Sequence, residues 1–224
     1  MPRRRAYHGG MPTDSMPLVR HERAALADDL VSFGPDAPTV IDEWDAAALL
    51  EHLILRESRQ DLMIGPALPI GPLADRSYAA LRRLQERTWA ERVQMFRSGP
   101  PRFSPMRLAD PLVNTVEYLV HHEDLRRARP GWEPRELTPE QDRELWKHLR
   151  LMARMLVRAD VDVTLVSALG GIRVGAKDPI GSVRVHGTPT ELVLWAFGRD
   201  RVARVRLEGD PEALLVLRRG DRGF

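Results

Sequence analysis

The stretch Asn114-Thr-Val-Glu117-Tyr-Leu-Val-His121-His-Glu-Asp124-Leu-Arg-Arg127-Ala lies within a segment, about Pro111 to Ala128, that reads as one helix. At about 100° per residue, Glu117 and His121 stand four apart and share a face. Asn114 and Asp124 fall on the same stripe, while His122 points about 100° away. Val113 and Val120 beside the stripe are core candidates. A polar stripe bordering a core face suits side chains that point into a bundle interior, as ligands do in bundle metal sites. An imidazole and a carboxylate one turn apart can reach one ion. Spacing alone leaves the alternative open, because Glu144 and His148 repeat the pattern on the next helical segment, and such pairs also arise by chance.

Further segments flank this one. A first helix is expected over about 17–33, ended by the breaker pair Gly34-Pro35, and a second from Trp44 or Asp45 to about Leu62. A loop with Gly65, Pro66, Pro69, Gly71 and Pro72 precedes a third helix over about 74–97, which stops at Ser98-Gly-Pro-Pro. Thr138-Pro139-Glu140-Gln141 opens a fifth helix with a capping box, reaching about Val157. The period then changes. Val161, Val163 and Leu165 alternate with Asp162 and Thr164, which is strand spacing, and Gly170-Gly171 turns toward a strand over about 172–176. A strand over 182–186 follows, then a capping box at Thr188-Pro189-Thr190-Glu191 opening a helix to about Phe197, a strand over 201–207 and a short helix from Asp210-Pro211-Glu212. The fold expected is a bundle of helices over 16–159 followed by a small α+β domain over 160–224, with an antiparallel or mixed sheet.

The 224 residues suffice for one large or two small domains. At 43% hydrophobic and 29% charged the composition is that of a soluble globular chain, and no apolar run of membrane-spanning length occurs. Residues 1–15 carry Arg3, Arg4 and Arg5 with no apolar segment after them. They read as a disordered extension or a mis-annotated start with Met16 as a second start, not as a secretory signal. A cytoplasmic location is expected. The formal charge of +2 rests on those three arginines, so a pI near 9.4 is weak support for nucleic-acid binding, and no nucleic-acid or membrane partner is expected. Cysteine is absent, which excludes disulfides, thiolate zinc sites and a cysteine nucleophile; any reacting sulfur must arrive on a ligand.

Among the seven histidines, His8 lies in the tail, His21 sits among charges as a solvated residue, and His186 ends a strand. His148 is expected beside the core. His52 shares its helical face with Ala48, Leu49, Leu55 and Arg56 and so points inward. A ligand from a neighbouring helix would then complete a set of two histidines and one carboxylate with positions open for water or substrate. The bland alternative for His52 is a hydrogen-bonded core histidine. Trp89, Trp132, Trp146 and Trp195 read as core or interface anchors, and Arg82, Arg83, Glu86 and Arg87 as a solvated face.

Three stretches carry a family resemblance. Trp44-Asp-Ala-Ala-Ala-Leu-Leu-Glu-His52-Leu, just after Pro38-Thr39, resembles the Trp-to-His motif of the mycothiol-dependent maleylpyruvate isomerase family, and the Asn114–Ala128 run resembles its second metal motif. Gly187-Thr-Pro-Thr-Glu-Leu-Val-Leu-Trp-Ala-Phe-Gly-Arg199 is similar to its small sterol-carrier-like domain. The order holds from about residue 17 to the end, and the chain looks closest to a subfamily described only as metal-binding.

The resemblance implies a DinB-like helical bundle whose ligands are His52, Glu117 and His121, with zinc the usual ion and water completing the shell. It also implies a low-molecular-weight thiol, mycothiol, which the metal activates for reversible addition to a cis double bond. A bound cation lowers a thiol's pKa, so thiolate exists at neutral pH. In that setting Asp124 is a candidate to orient His121 or to act in catalysis, with pairing to Arg127 on the surface as the alternative. Arg56 is a candidate for a carboxylate of the thiol or substrate, or an ordinary exposed arginine. Arg199 is a candidate cofactor contact in place of the family's C-terminal arginine, or a solvated helix-end charge. No substrate-specific motif matches.

The function expected is therefore isomerase or S-transferase chemistry on a small electrophile, by a monomer or homodimer. A non-catalytic metal or ligand module and a metal-dependent hydrolase, with Glu123 or Asp124 as base, are the competing classes.

Overall fold

Leu18, Leu26 and Leu30 recur at helical spacing and are fully buried, which fixes the buried face of α1 (Leu18–Phe33). The computed structural model describes residues 17–58, 71–100 and 111–223. The extension expected over 1–15, the end of the second helix near Leu62, the loop after it and the side chain of Val113 lie outside the described residues. Gly34 ends α1 at φ +82°, its N–H bonding the Leu30 carbonyl, a conformation that costs glycine little.

α2 (Ala46–Ser58) follows. The single third helix expected is in fact two, α3 (Gly71–Gln85) and α4 (Trp89–Ser98). Thr88 accepts from the Glu91 N–H, and the Glu91 carboxylate accepts from the Thr88 N–H. That capping box opens a new helix inside the stretch expected to be one.

α5 (Pro111–Arg127) and α6 (Pro139–Leu156) complete the helical part. α6 begins at the Thr138–Gln141 capping box as expected.

Beyond α6 the chain forms β1 (Val157–Arg158), β2 (Asp162–Ser167), β3 (Gly170–Val174), β4 (Ser182–His186), α7 (Pro189–Ala196), β5 (Arg206–Gly209), α8 (Pro211–Arg219) and β6 (Asp221–Arg222). The four-stranded sheet has the order β3-β2-β4-β5 and is mixed: β2 pairs parallel with β4, and the other pairs are antiparallel. Its register sets Val163 opposite Val174 and Val183, and Leu165 opposite Ile172 and Val185. All six are buried on the face that packs on the helices.

A β1–β6 pair, absent from the sequence reading, ties the end of α6 to the C-terminus. The strand expected over 201–207 starts only at Arg206. The Val202 and Ala203 N–H groups bond the Arg199 carbonyl, and the Arg204 N–H bonds Glu191, so these donors are taken before a ladder can begin. The architecture is mixed α+β, with eight helices among the described residues. No helix there is long and apolar enough to cross a membrane.

Helix α5 organises the rest. Every residue from Asn114 to Leu125 is buried. Tyr118 and Leu125 join one apolar cluster with α1, α2 and α4, while Val116, Leu119 and Val120 join another with α6, α7 and the sheet. A helix buried on all sides must satisfy each of its polar groups internally, and this one carries Asn114, Thr115, Glu117, His121, His122, Glu123 and Asp124. The sequence reading of one polar stripe was too narrow: the whole circumference is buried, and the polar residues off the stripe have found partners.

Candidate metal centre

His52 from α2 and Glu117 and His121 from α5 bring one ligand atom each to within 4.8 Å of one another, and they are the one such group among the described residues. His121 Nε2 lies 3.4 Å from Glu117 Oε2. Metal–nitrogen bonds of about 2.0–2.1 Å set ligand atoms roughly 3.3 Å apart in a tetrahedral site, so this pair is already at ligand spacing. The two imidazole rings lie 5.2 Å apart at 67°. Glu144 and His148 take no part; Glu144 accepts instead from the Leu18 N–H.

The surroundings assign the ring nitrogens of His121. Nδ1 is 3.1 Å from Asp124 Oδ2, and Asp124 is fully buried. A carboxylate there accepts from the Nδ1–H and turns Nε2 toward Glu117, which is the outer support found behind metal-bound histidines. Burial raises the Asp124 carboxyl pKa, but hydrogen bonds to His121 and Arg199 outweigh it and hold the group below the usual carboxylate range.

Arg199 reaches across from the turn after α7 with Nε 3.0 Å from Oδ1 and a terminal nitrogen 2.9 Å from Oδ2. It is not a solvated helix-end charge, because its fork grips the buried Asp124. Asp124 likewise is not a surface acid paired with Arg127. Arg56 is not an ordinary exposed arginine. It donates to Asn114 Oδ1 at 2.7 Å, and its Nε stands 3.7 Å from Glu117 Oε2.

The histidines respond in opposite directions. Burial, then the charge of His121, lowers His52 to about 4. Burial also acts to lower His121, but its hydrogen bonds to Asp124 and Glu117 prevail and raise it. For Glu117, burial is outweighed by His121 and Arg56, and the carboxyl is lowered. Two carboxylates thus favour positive charge at His121. The donor set, two imidazoles and a carboxylate with one imidazole externally oriented, fits a borderline divalent cation.

In the metal-free protein His52 gives a signed pH effect. The unfolded chain takes up a proton on this residue near pH 6.5, whereas the folded chain refuses it until about pH 4. Stability is therefore present above 6.5 and lost as pH falls through that window. Urea unfolding at pH 7 and 4.5 is expected to show a smaller acid loss for His52→Gln than for the parent; equal losses would rule this contribution out.

Beside the ligands lies a buried ionic network that the sequence reading missed. His122 Nδ1 is 3.0 Å from Glu22 and its Nε2 is 3.0 Å from Asp29. Arg135 bonds Glu22 with two nitrogens and Glu123 with Nε at 2.6 Å. Arg127 bonds Glu123 at 2.5 Å and Glu191 of α7 at 2.6 and 2.8 Å. Glu123 is therefore committed to three arginines, including Arg126, and is not available as the base a hydrolase would need. Glu191 caps no N–H of Thr188; only half of the expected capping box forms, because its carboxylate serves Arg127 and the Arg204 N–H.

A signal for Glu22 was readable. It sits midway between Leu18 and Leu26 at four-residue spacing, a charge on an apolar face. Trp132 stands between the guanidinium groups of Arg127 and Arg204 at 4.6 and 4.8 Å, an anchor where α5 meets the chain after α7. His21 is part-exposed beside Glu22, and His186 pairs with Glu208. A cavity of about 590 Å³ lies away from the ligands, against Ile54, Glu57 and Phe96.

Fold and site together define a mixed α+β protein with a helical part that carries a three-ligand, metal-capable centre. Among solved structures the chain is similar to the mycothiol-dependent maleylpyruvate isomerase, with a TM-score of 0.50 and 15% identity over 85% of this chain and 90% of that one. A mutant of the same enzyme aligns with a TM-score of 0.48 and 15% identity, covering 81% and 87%. At that identity the likeness is one of fold. No family model matches the sequence, and no curated protein matches it.

Proposed function

We propose that this chain is a metal-dependent enzyme that activates a low-molecular-weight thiol, mycothiol or a thiol like it, for isomerase or S-transferase chemistry on a small electrophile. The observation that carries the reading is the convergence of His52, Glu117 and His121 from two helices. The similar fold of a mycothiol-dependent isomerase supports the choice of a thiol. The motifs at 44–53 and 114–128 support the same DinB-like family, with the helical unit ending near residue 159 and a small sterol-carrier-like unit from 160.

His52, Glu117 and His121 would hold the ion, zinc on this reading, and when bound it would lower the thiol's pKa so that thiolate exists at neutral pH. The chain's own groups do the rest. His52 is neutral at pH 7 and needs to lose no proton before ligating. Asp124, gripped by Arg199, keeps the Nε2 of His121 aimed at Glu117. Arg56, beside Glu117, is the side chain proposed to meet a carboxylate of the thiol or substrate.

The test is optical. Cobalt(II)-loaded protein titrated with mycothiol is expected to develop a near-ultraviolet thiolate-to-cobalt band with one-to-one stoichiometry. A cobalt-loaded protein whose spectrum ignores the thiol overturns the thiol reading.

A further inference from the structure

The two histidines of the centre are supported unequally. His121 has Asp124 behind it. Among the described residues no hydrogen bond orients the His52 ring. Its ring neighbours are Trp44, with centroids 5.1 Å apart, and His121. Trp44 also lies over His121, nearly parallel at 20° and 6.4 Å away. One indole therefore lies beside both imidazoles that the proposed centre needs.

The strap that carries Trp44 is built to hold it. Glu43, the residue before, has φ +70° and is the one non-glycine residue with positive φ among the described residues. A side-chain-bearing residue persists in that conformation only where its surroundings over-determine it. The surroundings do so here. The Thr39 hydroxyl donates to the Trp44 carbonyl at 2.8 Å, and the Trp44 N–H bonds the Ile41 carbonyl. Pro38 bridges to Asp45, and Asp45 accepts the Ala48 N–H at the start of α2. The Val40 N–H bonds the carbonyl of Asp124 itself at 2.9 Å. From the far part of the chain Arg201 clamps the Val40 carbonyl and the Asp42 carboxylate.

We propose that Trp44 is the positioning residue of the centre: clamped by its strap, the indole fixes the plane of His52 and buttresses that of His121, doing by ring packing for His52 what Asp124 does for His121 by a hydrogen bond. Fixing ring planes lowers the freedom lost on ligation, and an aromatic face beside the ligands favours a cation. This role rests on the metal reading above.

The test compares Trp44→Ala, Trp44→Phe and Thr39→Val with the parent, by zinc affinity in chelator competition and by the visible spectrum of the cobalt form. Trp44→Ala is expected to bind zinc about 10–100-fold more weakly and to change the intensity and shape of the cobalt bands. Trp44→Phe, which keeps a ring, is expected to recover most of both. Thr39→Val, which leaves Trp44 in place but frees its carbonyl, is expected to shift both in the same direction by less. Native zinc affinity and an unchanged cobalt spectrum in both Trp44→Ala and Thr39→Val overturn the positioning role while leaving the centre standing. A parent protein that binds neither zinc nor cobalt overturns the centre and the role together.

Discussion

Arg127→Met is expected to destabilise the protein by about 3–5 kcal/mol, because it breaks a buried ion network by removing one partner. The Arg127 side chain is fully shielded and donates to Glu123 with Nε and to Glu191 with both terminal nitrogens. Methionine keeps much of the length and apolar volume but supplies no donor. Glu123 would retain Arg126 and Arg135, so the larger loss falls on Glu191, left beside one backbone N–H. In a chain of this size the loss corresponds to a fall in Tm on the order of 10 °C. Urea denaturation measures it, and the double variant Arg127→Met/Glu191→Leu is expected to regain a large part, since an apolar pair replaces an orphaned charge. A single variant that loses less than about 1 kcal/mol would mean the network contributes no more than a surface pair.

His52→Ala and His121→Ala are each expected to weaken zinc binding by more than about 100-fold, beyond the ~10–100-fold typical of losing an outer partner. Each removes one of three protein ligands, and the remaining pair cannot enclose the ion. His148→Ala, which removes the other histidine of the repeated spacing, is expected to leave affinity unchanged. Metal content after dialysis and chelator competition decide it: unchanged zinc in both ligand variants removes the centre from this site.

How much of this was written in the sequence differs by element. The helix starts at Thr138 and Thr188 and the strand alternation at Val163 and Leu165 are local signals, and the structure follows them. Thr88-Trp-Ala-Glu91 is an equally local signal, and it marks a helix start inside the stretch expected to be one helix. The convergence of His52 on Glu117 and His121 was reached through motif resemblance; periodicity gave only the inward direction of His52. The clasp of Arg199 on Asp124 and the chain Asp29–His122–Glu22–Arg135–Glu123–Arg127–Glu191 were out of reach. Apart from Glu123–Arg127 and Glu123–Arg135, 4 and 12 positions apart, these pairs join residues 64 to 113 positions apart, and a charged residue reads the same in sequence whether it meets water or a partner. Glu22 between two leucines was the exception, where periodicity itself marks a charge that must be paired.

The clasp on Asp124 also sets an order of events during synthesis. Asp124 and Arg199 are 75 residues apart, which at about 5–20 residues per second is roughly 4–15 s of translation. For that interval the emerging helices hold Asp124 with His121 but without Arg199, and Arg127 with Glu123 but without Glu191, so closing α5 into the interior would leave both groups partly unpaired. Helix α5 is therefore expected to stay accessible on the nascent chain until residues 191–204 arrive, with the support behind His121 complete only once Arg199 has been made.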